Sequence, residues 1–184
     1  ETIIDEVLAM ARQGQTVEQS ELEPVAVDSL LEACWDTVET GGAELQIEGT
    51  ATIRADANRL KRALENLLRN AVEHGSTGNQ PEAEDTVEHG STSSRPKAED
   101  TVEHAGADVT VTVGTLEDGF YVADDGPGIP PDRREEVFEH GVTYSHSGTG
   151  FGLSIVADIA RSHGWAVSLT ESEAGGARFE FRPE

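Results

Sequence analysis

Two glycine clusters in the C-terminal half of the chain carry residues suited to binding a nucleotide. The first, residues 124–129, follows an apolar run, so its aspartate Asp124 stands where a strand ends. The second, residues 148–153, leads into a segment of helical periodicity that stops at Gly164. Glycines that open a helix expose backbone N–H groups at the positive end of the helix dipole, where phosphates bind. Either cluster alone is equally consistent with a turn, but the pair in this order predicts a nucleotide site.

A predicted helix from about residue 56 to residue 74 carries polar side chains at four-residue steps. Asn66, Asn70 and His74 lie in a row along one edge of an apolar stripe. A buried amide without a hydrogen-bonding partner is costly, so this row needs partners. For His74, a helix C-terminal histidine satisfied by the dipole is an equally good interpretation.

The three segments together resemble the nucleotide-binding boxes of the GHKL ATPases, which include histidine kinases, gyrase, MutL and the ninety-kilodalton heat-shock chaperones. Asn-Leu-Leu-Arg-Asn-Ala at 66–71, Asp-Asp-Gly-Pro-Gly-Ile at 124–129 and Gly-Thr-Gly-Phe-Gly-Leu at 148–153 follow the order of those boxes. A phenylalanine between the two glycine clusters and a terminal Gly-Gly-x-x-Phe resemble the sensor histidine kinase branch. The resemblance covers roughly residues 24–183, apart from an insertion.

This resemblance implies a fold and a function. The fold is α+β, a two-layer sandwich with a mixed sheet backed by helices (the Bergerat-type ATPase fold), with ATP held between the Asn helix and a lid at residues 130–147. The function is that of the ATP-binding catalytic domain of a two-component sensor histidine kinase, which passes the γ-phosphoryl group of ATP to a histidine on a dimerisation domain. Catalysis is expected to rest on positioning and Mg²⁺ electrostatics. Two alternatives are a GHKL serine kinase acting on a regulator and a non-catalytic ATP-sensing module.

The resemblance also assigns site residues. Asn70 is expected to bind Mg²⁺ with help from Asn66, because a neutral amide oxygen suits a hard cation whose charge the phosphates already balance. Asp124 is expected to accept a hydrogen bond from the exocyclic amine of adenine, while glycines beside it let the backbone pass close to the base. The residues expected to contact the nucleotide are Asn66, Asn70, His74, Asp124, Gly126, Gly128, Ile129, Gly148, Thr149, Gly150, Phe151, Gly152 and Leu153.

Two further positions are identified by the same resemblance. Val137 and Phe138 are similar to the aromatic box that anchors the lid. Many relatives carry Ser or Thr just before the final phenylalanine, where this chain has Ala177 and Arg178, so one water-mediated contact to adenine is not expected here.

No catalytic residue is assigned within the chain. None of its six histidines lies in a phosphoacceptor-like helix, so the acceptor is expected outside this chain, on the dimerisation domain of the same kinase. A response regulator is the other expected partner. A histidine recurs in each copy of a repeat described below, but the 15-residue spacing is far from that of metal ligands.

The composition is strongly acidic, with 36 Asp and Glu against 13 Lys and Arg and a net charge of −23. Such a surface repels nucleic acid and anionic membranes, so neither is an expected partner. Adaptation to a salt-rich (halophilic) cytoplasm and a disordered acidic tract both explain the charge; the acids are spread along the whole chain, which favours the first. The absence of a membrane-length apolar run and of a signal peptide predicts a cytoplasmic location, and a membrane anchor elsewhere in a longer protein stays open.

The domain organisation is predicted as follows. Residues 1–14 form an amphipathic helix, interpreted as the tail of a dimerisation-domain helix or as a helix docked on its own domain. Residues 15–23 are a linker, and residues 24–184 form the ATPase domain. Within it, residues 75–107 are an insertion of 15-residue repeats that start with Val-Glu-His at 72, 87 and 102, predicted to be a mobile loop because it has almost no large apolar residue. Because the chain begins at Glu1, it is interpreted as a fragment.

Two predictions concern the first half of the domain. Asp28 is placed to cap a helix that carries Cys34 on its apolar face. This single cysteine is interpreted as a small core residue rather than a nucleophile.

Overall fold

The computed structural model of the protein describes residues 16–77, 109–139 and 152–184. In chain order these residues form β1 (Glu23–Ala26), α1 (Val27–Trp35), β2 (Glu44–Ile47), β3 (Thr52–Ala55), α2 (Ala57–Thr77), β4 (Thr110–Leu116), β5 (Gly119–Asp124), α3 (Gly152–Ser162), β6 (Trp165–Glu171) and β7 (Ala177–Pro183). Short 3-10 turns lie at Pro131–Arg133 and Glu136–Phe138.

Five strands form one mixed sheet in the order β2-β4-β5-β7-β6. β2 runs parallel to β4, and every other neighbouring pair in this sheet is antiparallel. β1 and β3 form a separate antiparallel pair. The helices cover one face of the large sheet, so the predicted α+β sandwich with a mixed sheet backed by helices is confirmed.

The two faces of the sheet differ in polarity because side chains alternate along a strand. Phe120 and Val122 of β5 are buried among the leucines of α2, whereas Tyr121 between them faces the other side. Phe120 stacks on Phe181 at a centroid distance of 4.8 Å and meets Trp165 edge to face. Burying one such side chain contributes about 2 to 3 kcal/mol, so these ring contacts help to hold β5, β6 and β7 together.

Helix α2 begins where the side chain of Asp56 caps it. Asp56 Oδ1 accepts hydrogen bonds from the backbone N–H groups of Asn58 at 2.9 Å and Arg59 at 3.1 Å. One side of the helix is then buried, including Leu60, Leu64, Leu67 and Leu68. The helix ends at Thr77, so residues 75–77, predicted as the start of the insertion loop, continue the helix. Adding residues to a formed helix costs little compared with starting one.

The prediction that Asp28 caps α1 is wrong. The helix begins at Val27 after Ala26, and no side chain caps it. The extended strand β1 runs directly into the helix, and the N–H of Val27 donates to the carbonyl of Ala51 at 2.9 Å. The carbonyl of Ala51 thus satisfies the first free N–H of the helix, and Asp28 lies in the first turn, where its charge suits the helix dipole.

Cys34 lies in the core between α1 and α2. It is buried, and its Sγ is 3.7 Å from the carbonyl oxygen of Lys61. Burial, with a smaller contribution from the carboxylate of Glu65, raises the pKa of the Cys34 thiol to about 11. The nucleophilic thiolate is thus rare at neutral pH, as expected for a core residue.

The segment predicted as a linker lies against the domain where it is described. Val17 is buried, and its N–H donates to the carbonyl of Ser162 at the end of α3 at 3.0 Å. Arg54 of β3 donates to the carbonyl of Leu22 at 2.9 Å. Residues 1–14 and most of the predicted insertion lie outside the described residues, so the predicted domain bounds stay a prediction. Among the helices of the described ranges, none has the length and apolar character needed to cross a membrane.

Candidate functional site

The two asparagines of α2 meet the first residue of α3. A Cβ atom placed on Gly152 would lie 3.4 Å from Asn70 Nδ2 and 3.7 Å from Asn66 Oδ1. Asn66 Nδ2 donates to the carbonyl of Arg62, one turn earlier in the same helix, at 3.0 Å. Both amides therefore lie beside the N-terminal end of α3, where backbone N–H groups and the positive end of the dipole favour an anion.

Asp124 stands at the end of β5 and is held by backbone groups from two segments. Its Oδ1 accepts hydrogen bonds from the N–H of Gly126 at 3.0 Å and from the N–H of Ala177 at 3.1 Å. Its main-chain carbonyl accepts a hydrogen bond from Ser172 Oγ at 2.6 Å. The carboxylate consequently has a fixed orientation.

Glycines let two turns approach each other beside Asp124. Gly128 has a φ of +73°, and a Cβ atom there would lie only 2.8 Å from the carbonyl oxygen of Gly175. A Cβ atom on Gly176 would clash with the main chain and the carboxylate of Asp124. A residue with a side chain would not fit at Gly128 or Gly176, so the close approach of the two turns requires glycine at both positions.

One cavity of about 260 Å³ joins these features. Its walls come from the Asn helix, the glycine turn after β5, the start of the segment predicted as a lid, the first turn of α3 and β7. The lining residues are Asn70, Ala71, Asp124, Pro127, Gly128, Ile129, Pro130, Arg133, Leu153, Ala177 and Phe179. A largely apolar cavity lined by one aspartate and one amide is suited to a flat heteroaromatic ring that carries a polar tail.

The structure brings together most of the described residues that the sequence singled out. Asn70, Asp124, Gly128, Ile129 and Leu153 line the cavity, and Asn66 and Gly152 lie next to Asn70. Gly126 acts through its N–H bond to Asp124.

Other predicted positions are not tested by the structure. His74 lies in α2, but its side chain is outside the description. Gly148, Thr149, Gly150 and Phe151, together with lid residues 140–147, lie outside the described residues.

Val137 and Phe138, predicted to anchor the lid, pack against the domain. Val137 is 2% exposed, and Phe138 meets Phe179 of β7 edge to face at 6.2 Å. Arg134 Nε donates to the carbonyl of Ile129 at 3.0 Å, which ties the start of the lid segment to the glycine turn.

Several residues of the site were not predicted from the sequence. Phe179 and Arg133 line the cavity, and Ser172 contacts Asp124 from a turn 48 residues away. A serine three residues before a Gly-Gly pair signals only a turn, so nothing local in the sequence connects Ser172 with Asp124.

The donor set near α3 determines which metal it suits. The described residues include no group of three or more His, Cys, Asp or Glu side chains arranged to hold a metal ion. The oxygens beside Gly152 are instead the neutral amides of Asn66 and Asn70. Such a set fits Mg²⁺ that arrives with phosphate oxygens, because the phosphates supply the negative charge that the protein does not.

A second groove of about 330 Å³ lies on the open face of the sheet. Tyr121 Oη donates to Glu48 at 2.8 Å, and the guanidinium of Arg178 lies 3.8 Å over the Tyr121 ring. Burial and the hydrogen bond to Glu48 raise the pKa of Tyr121. Both the hydroxyl and the ring face of Tyr121 are therefore already in contact with residues of this chain.

Comparison with known families gives a match over residues 55–184, to the family described as histidine kinase-, DNA gyrase B-, and HSP90-like ATPase. The sensor-type histidine kinase PrrB of Mycobacterium leprae (strain TN) is 32% identical over 178 residues, which cover 92% of this chain and 34% of that protein. The sensor protein RstB of Escherichia coli (strain K12) is 48% identical over 66 residues, 33% of this chain and 15% of that protein. The chain thus spans about a third or less of the length of these relatives.

Solved structures give the same result for the fold. The crystal structure of the ATP-binding domain of PrrB from Mycobacterium tuberculosis matches with a TM-score of 0.58 and 25% identity, over 89% of this chain and 96% of that one. The crystal structure of full-length ShkA in complex with AMPPNP matches with a TM-score of 0.66 and 29% identity, over 98% of this chain and 34% of that one.

Proposed function

Because this chain belongs to the histidine kinase-, DNA gyrase B- and HSP90-like ATPase family, we propose that it is the ATP-binding catalytic domain of a sensor histidine kinase. One observation carries the proposal. Asp124 and Asn70 stand at different walls of a single cavity, and Asn70 meets the first residue of α3. A nucleotide that spans this cavity has its base at Asp124 and its phosphates at the helix end.

The base end selects adenine. Asp124 accepts a hydrogen bond from the exocyclic amine, and Ile129, Leu153 and Phe179 provide apolar contact for the ring. Guanine has a carbonyl oxygen at the position of that amine. Two hydrogen-bond acceptors, this oxygen and the carboxylate, would then face each other, so guanine binds poorly. The close glycine turn at Gly128 brings backbone near the base.

The phosphate end is formed by α2 and the start of α3. Asn70, assisted by Asn66, holds the Mg²⁺ that accompanies ATP, and this ion, when bound, offsets the charge of the phosphate oxygens. The N–H groups at the first turn of α3 and those of Gly148, Thr149, Gly150 and Phe151 hold the phosphates. His74 stands one turn beyond Asn70 on the same helix and is assigned to the same end of the nucleotide.

The reaction transfers a phosphoryl group without a covalent intermediate on this chain. An imidazole nitrogen of the acceptor histidine attacks the γ-phosphorus, the bond to the β–γ bridging oxygen breaks, and ADP leaves with the electron pair. The chain contributes position: Asp124 fixes the base, and the α3 end fixes the phosphates in line with the incoming nitrogen.

The acceptor histidine belongs to the dimerisation domain of the same kinase, which residues 1–14 continue, and a response regulator receives the phosphoryl group afterwards. The chain acts in a salt-rich cytoplasm. The salt there screens its net charge of −23. The repeats at 75–107 are an insertion in the ATPase domain.

The test is a phosphotransfer assay in which the 184-residue chain is mixed with a separately produced dimerisation domain from the same kinase, radiolabelled ATP and Mg²⁺. We expect label on the dimerisation domain that is stable in base and lost in acid, as phosphohistidine is. A dimerisation domain with its acceptor histidine replaced by glutamine is the matched control and should stay unlabelled.

Other results identify other functions. Label that survives acid but is lost in base indicates a serine kinase. ATP binding without any transfer indicates a nucleotide-sensing module. Label on the 184-residue chain alone contradicts the proposal and directs attention to its own histidines.

A further inference from the structure

The turn between β6 and β7 is built onto Asp124, and we propose that Ser172 in this turn is a positioning residue for adenine recognition. The inference rests on the proposed function, because it takes Asp124 as the group that reads the base. Ser172 does not line the cavity, and its hydroxyl donates to the main-chain carbonyl of Asp124. It acts by holding the main chain under that carboxylate.

Ser172 is a buried polar side chain with both hydrogen-bonding roles in use. It is 8% exposed, its Oγ donates to the carbonyl of Asp124 at 2.6 Å, and the same Oγ accepts the N–H of Gly176 at 2.8 Å. The turn is closed by bonds from Ser172 N to Gly176 O at 2.9 Å and from Gly175 N to Ser172 O at 3.0 Å. One hydroxyl therefore links the two ends of the turn to Asp124.

The end of the β5–β7 ladder explains why a hydroxyl is needed there. The backbone pairing of the two strands stops at Ala123 opposite Arg178. One position further, the N–H of Ala177 donates to the side-chain Oδ1 of Asp124. The main-chain carbonyl of Asp124 is taken by Ser172 instead. Side chain and main chain of the same aspartate are thus both tied to the β6–β7 turn.

The β6–β7 turn packs tightly against Asp124. A Cβ atom on Gly176 would clash with the carbonyl and the carboxylate of Asp124, so the turn lies directly against the residue it holds. Loss of the Ser172 hydroxyl removes one donor to Asp124 and one acceptor for Gly176 but keeps the bond from Ala177. We expect the turn to remain folded and the carboxylate to shift away from its aligned position.

The experiment compares two nucleotides that differ only in the group that Asp124 reads. Binding of ATP and of purine riboside triphosphate, which lacks the exocyclic amine, is measured by calorimetry on the 184-residue chain and its variants. We expect Ser172→Ala to weaken ATP binding about tenfold, the size of one charge-assisted hydrogen bond, and to leave binding of the analogue nearly unchanged. Ser172→Thr, which keeps the hydroxyl, should restore the preference for ATP.

A matched control is Ser162→Ala. Ser162 Oγ also donates to a backbone carbonyl, that of Ile159, at 2.8 Å, but at the far end of α3. Its removal should leave the ratio of the two affinities at the wild-type value. If circular dichroism shows that Ser172→Ala does not fold, Ser172→Cys is used instead, because cysteine has a similar size and a weaker donor. We expect the same decrease in the ratio of ATP affinity to analogue affinity.

The outcomes separate the inference from the proposed function. A wild-type chain that binds both nucleotides equally, or neither, overturns the assignment of Asp124 and with it the premise. A wild-type chain that prefers ATP, combined with a Ser172→Ala variant that weakens both nucleotides by the same factor, shows a merely structural role and overturns the inference alone.

Discussion

The two ends of the cavity are held in place by different kinds of contact. At the base end, Asp124 receives backbone N–H groups from Gly126 and Ala177 and a hydroxyl from Ser172, and two of these three donors lie about 50 residues away in sequence. At the phosphate end, Asn66 and Asn70 project from one helix, four residues apart, and Asn66 Nδ2 bonds to a carbonyl of that same helix. Tertiary contacts position the base end, whereas the four-residue spacing of two asparagines on one helix positions the phosphate end.

Under the proposed function, this difference separates the residues that recognise the base from those that serve phosphoryl transfer. A carboxylate fixed by several backbone donors loses little freedom when a base binds, which favours affinity and discrimination. Amides on a helix face one turn apart are suited to contact groups that come and go with the nucleotide, such as a metal ion and phosphates. Substitutions at the base end should consequently affect binding, and substitutions at the phosphate end should affect the transfer rate.

The largest effect is expected from Asp124→Asn. The asparagine retains an oxygen for the N–H groups of Gly126 and Ala177, which turns its amide nitrogen toward the adenine amine, so a donor meets a donor. We expect ATP affinity to fall about 100-fold or more while the melting temperature changes little. Titration with a fluorescent ATP analogue measures the affinity.

Asp125→Asn is the matched control for this change. Asp125 Oδ1 accepts the N–H of Thr110 at 2.8 Å, and the side chain is exposed beside the site. Its affinity for ATP should stay within about twofold of the wild type, since exposed polar changes typically cost under 0.5 kcal/mol. A folded Asp124→Asn variant with near wild-type affinity would refute the assignment of the base end.

The next largest effect is expected from Asn70→Ala, and on a different quantity. Under the proposed function, removal of the amide takes away a ligand of the nucleotide-bound Mg²⁺. Phosphotransfer to the dimerisation domain should then fall about 100-fold, since such an ion contributes several kcal/mol to the transition state. Binding of ADP in the presence of a chelator should change much less. The two measurements are made on the same preparation.

Asn58→Ala controls for loss of an asparagine from this helix. Asn58 lies in the first turn of α2 with its side chain exposed, far along the helix from Asn70. Both the transfer rate and ADP affinity should match the wild type. If Asn70→Ala reduces both quantities by the same factor, then Asn70 supports the structure of the site and does not serve the ion.

The same difference explains what the sequence predicted and what it did not. The apolar stripe predicts the helix, and residues four apart on a helix are neighbours. The relative position of Asn66 and Asn70 was therefore predictable from the local sequence pattern. Asp124 stood out because it ends an apolar strand and opens a glycine turn, and its role at the base was predicted from the resemblance to the GHKL ATPases. The two helices beside the site were predicted from their periodicity, whereas the mixed sheet backed by helices was predicted from the resemblance to the GHKL ATPases.

Contacts that join distant segments did not follow. Ser172 contacts Asp124 across 48 residues of sequence, and the N–H of Val27 at the start of α1 donates to the carbonyl of Ala51. Each such bond is satisfied by backbone groups whose position depends on the folded sheet, and no residue type at a fixed spacing signals it. Buried polar groups must find partners, but the sequence does not say which.

A smaller effect is expected from His163, which links the two helices of the site at their other ends. Its Nε2 accepts the N–H of Asp56 at 3.0 Å, and its Nδ1 lies 2.7 Å from the carbonyl of Ile159 and donates to it. Burial lowers the pKa of His163 below its usual value of 6.5, although the carbonyl and the nearby Asp56 oppose this and Arg59 reinforces it. The folded state therefore favours the neutral imidazole of His163.

The sign of the pH effect follows from that direction. The unfolded chain binds the proton more readily, so the stability contributed by His163 is complete above about pH 6.5 and is lost as the pH falls through the lower folded value. His163→Phe keeps a ring to stack on Trp165 but cannot accept the bond, which costs about 1 kcal/mol. The difference in unfolding free energy between wild type and variant should shrink from pH 7.5 to pH 5 at constant salt; a difference independent of pH would contradict this.

The smallest effect is expected from removing two copies of the repeat, which tests whether the phosphate end depends on helical period alone. Deletion of residues 72–101 joins Ala71 to Val102, so the junction reads Asn-Ala-Val-Glu-His with His104 in the place of His74. The row that carries Asn66 and Asn70 is restored from an identical stretch of sequence, and five residues, 105–109, remain before β4 begins at Thr110. Each halving of a flexible loop lowers its closure cost by about 0.6 kcal/mol, so ATP affinity should be unchanged within error and the melting temperature equal or slightly higher. A clear drop in either quantity would show that the inserted repeats contribute to the site, and the phosphate end, like the base end, would then depend on contacts from outside its own helix.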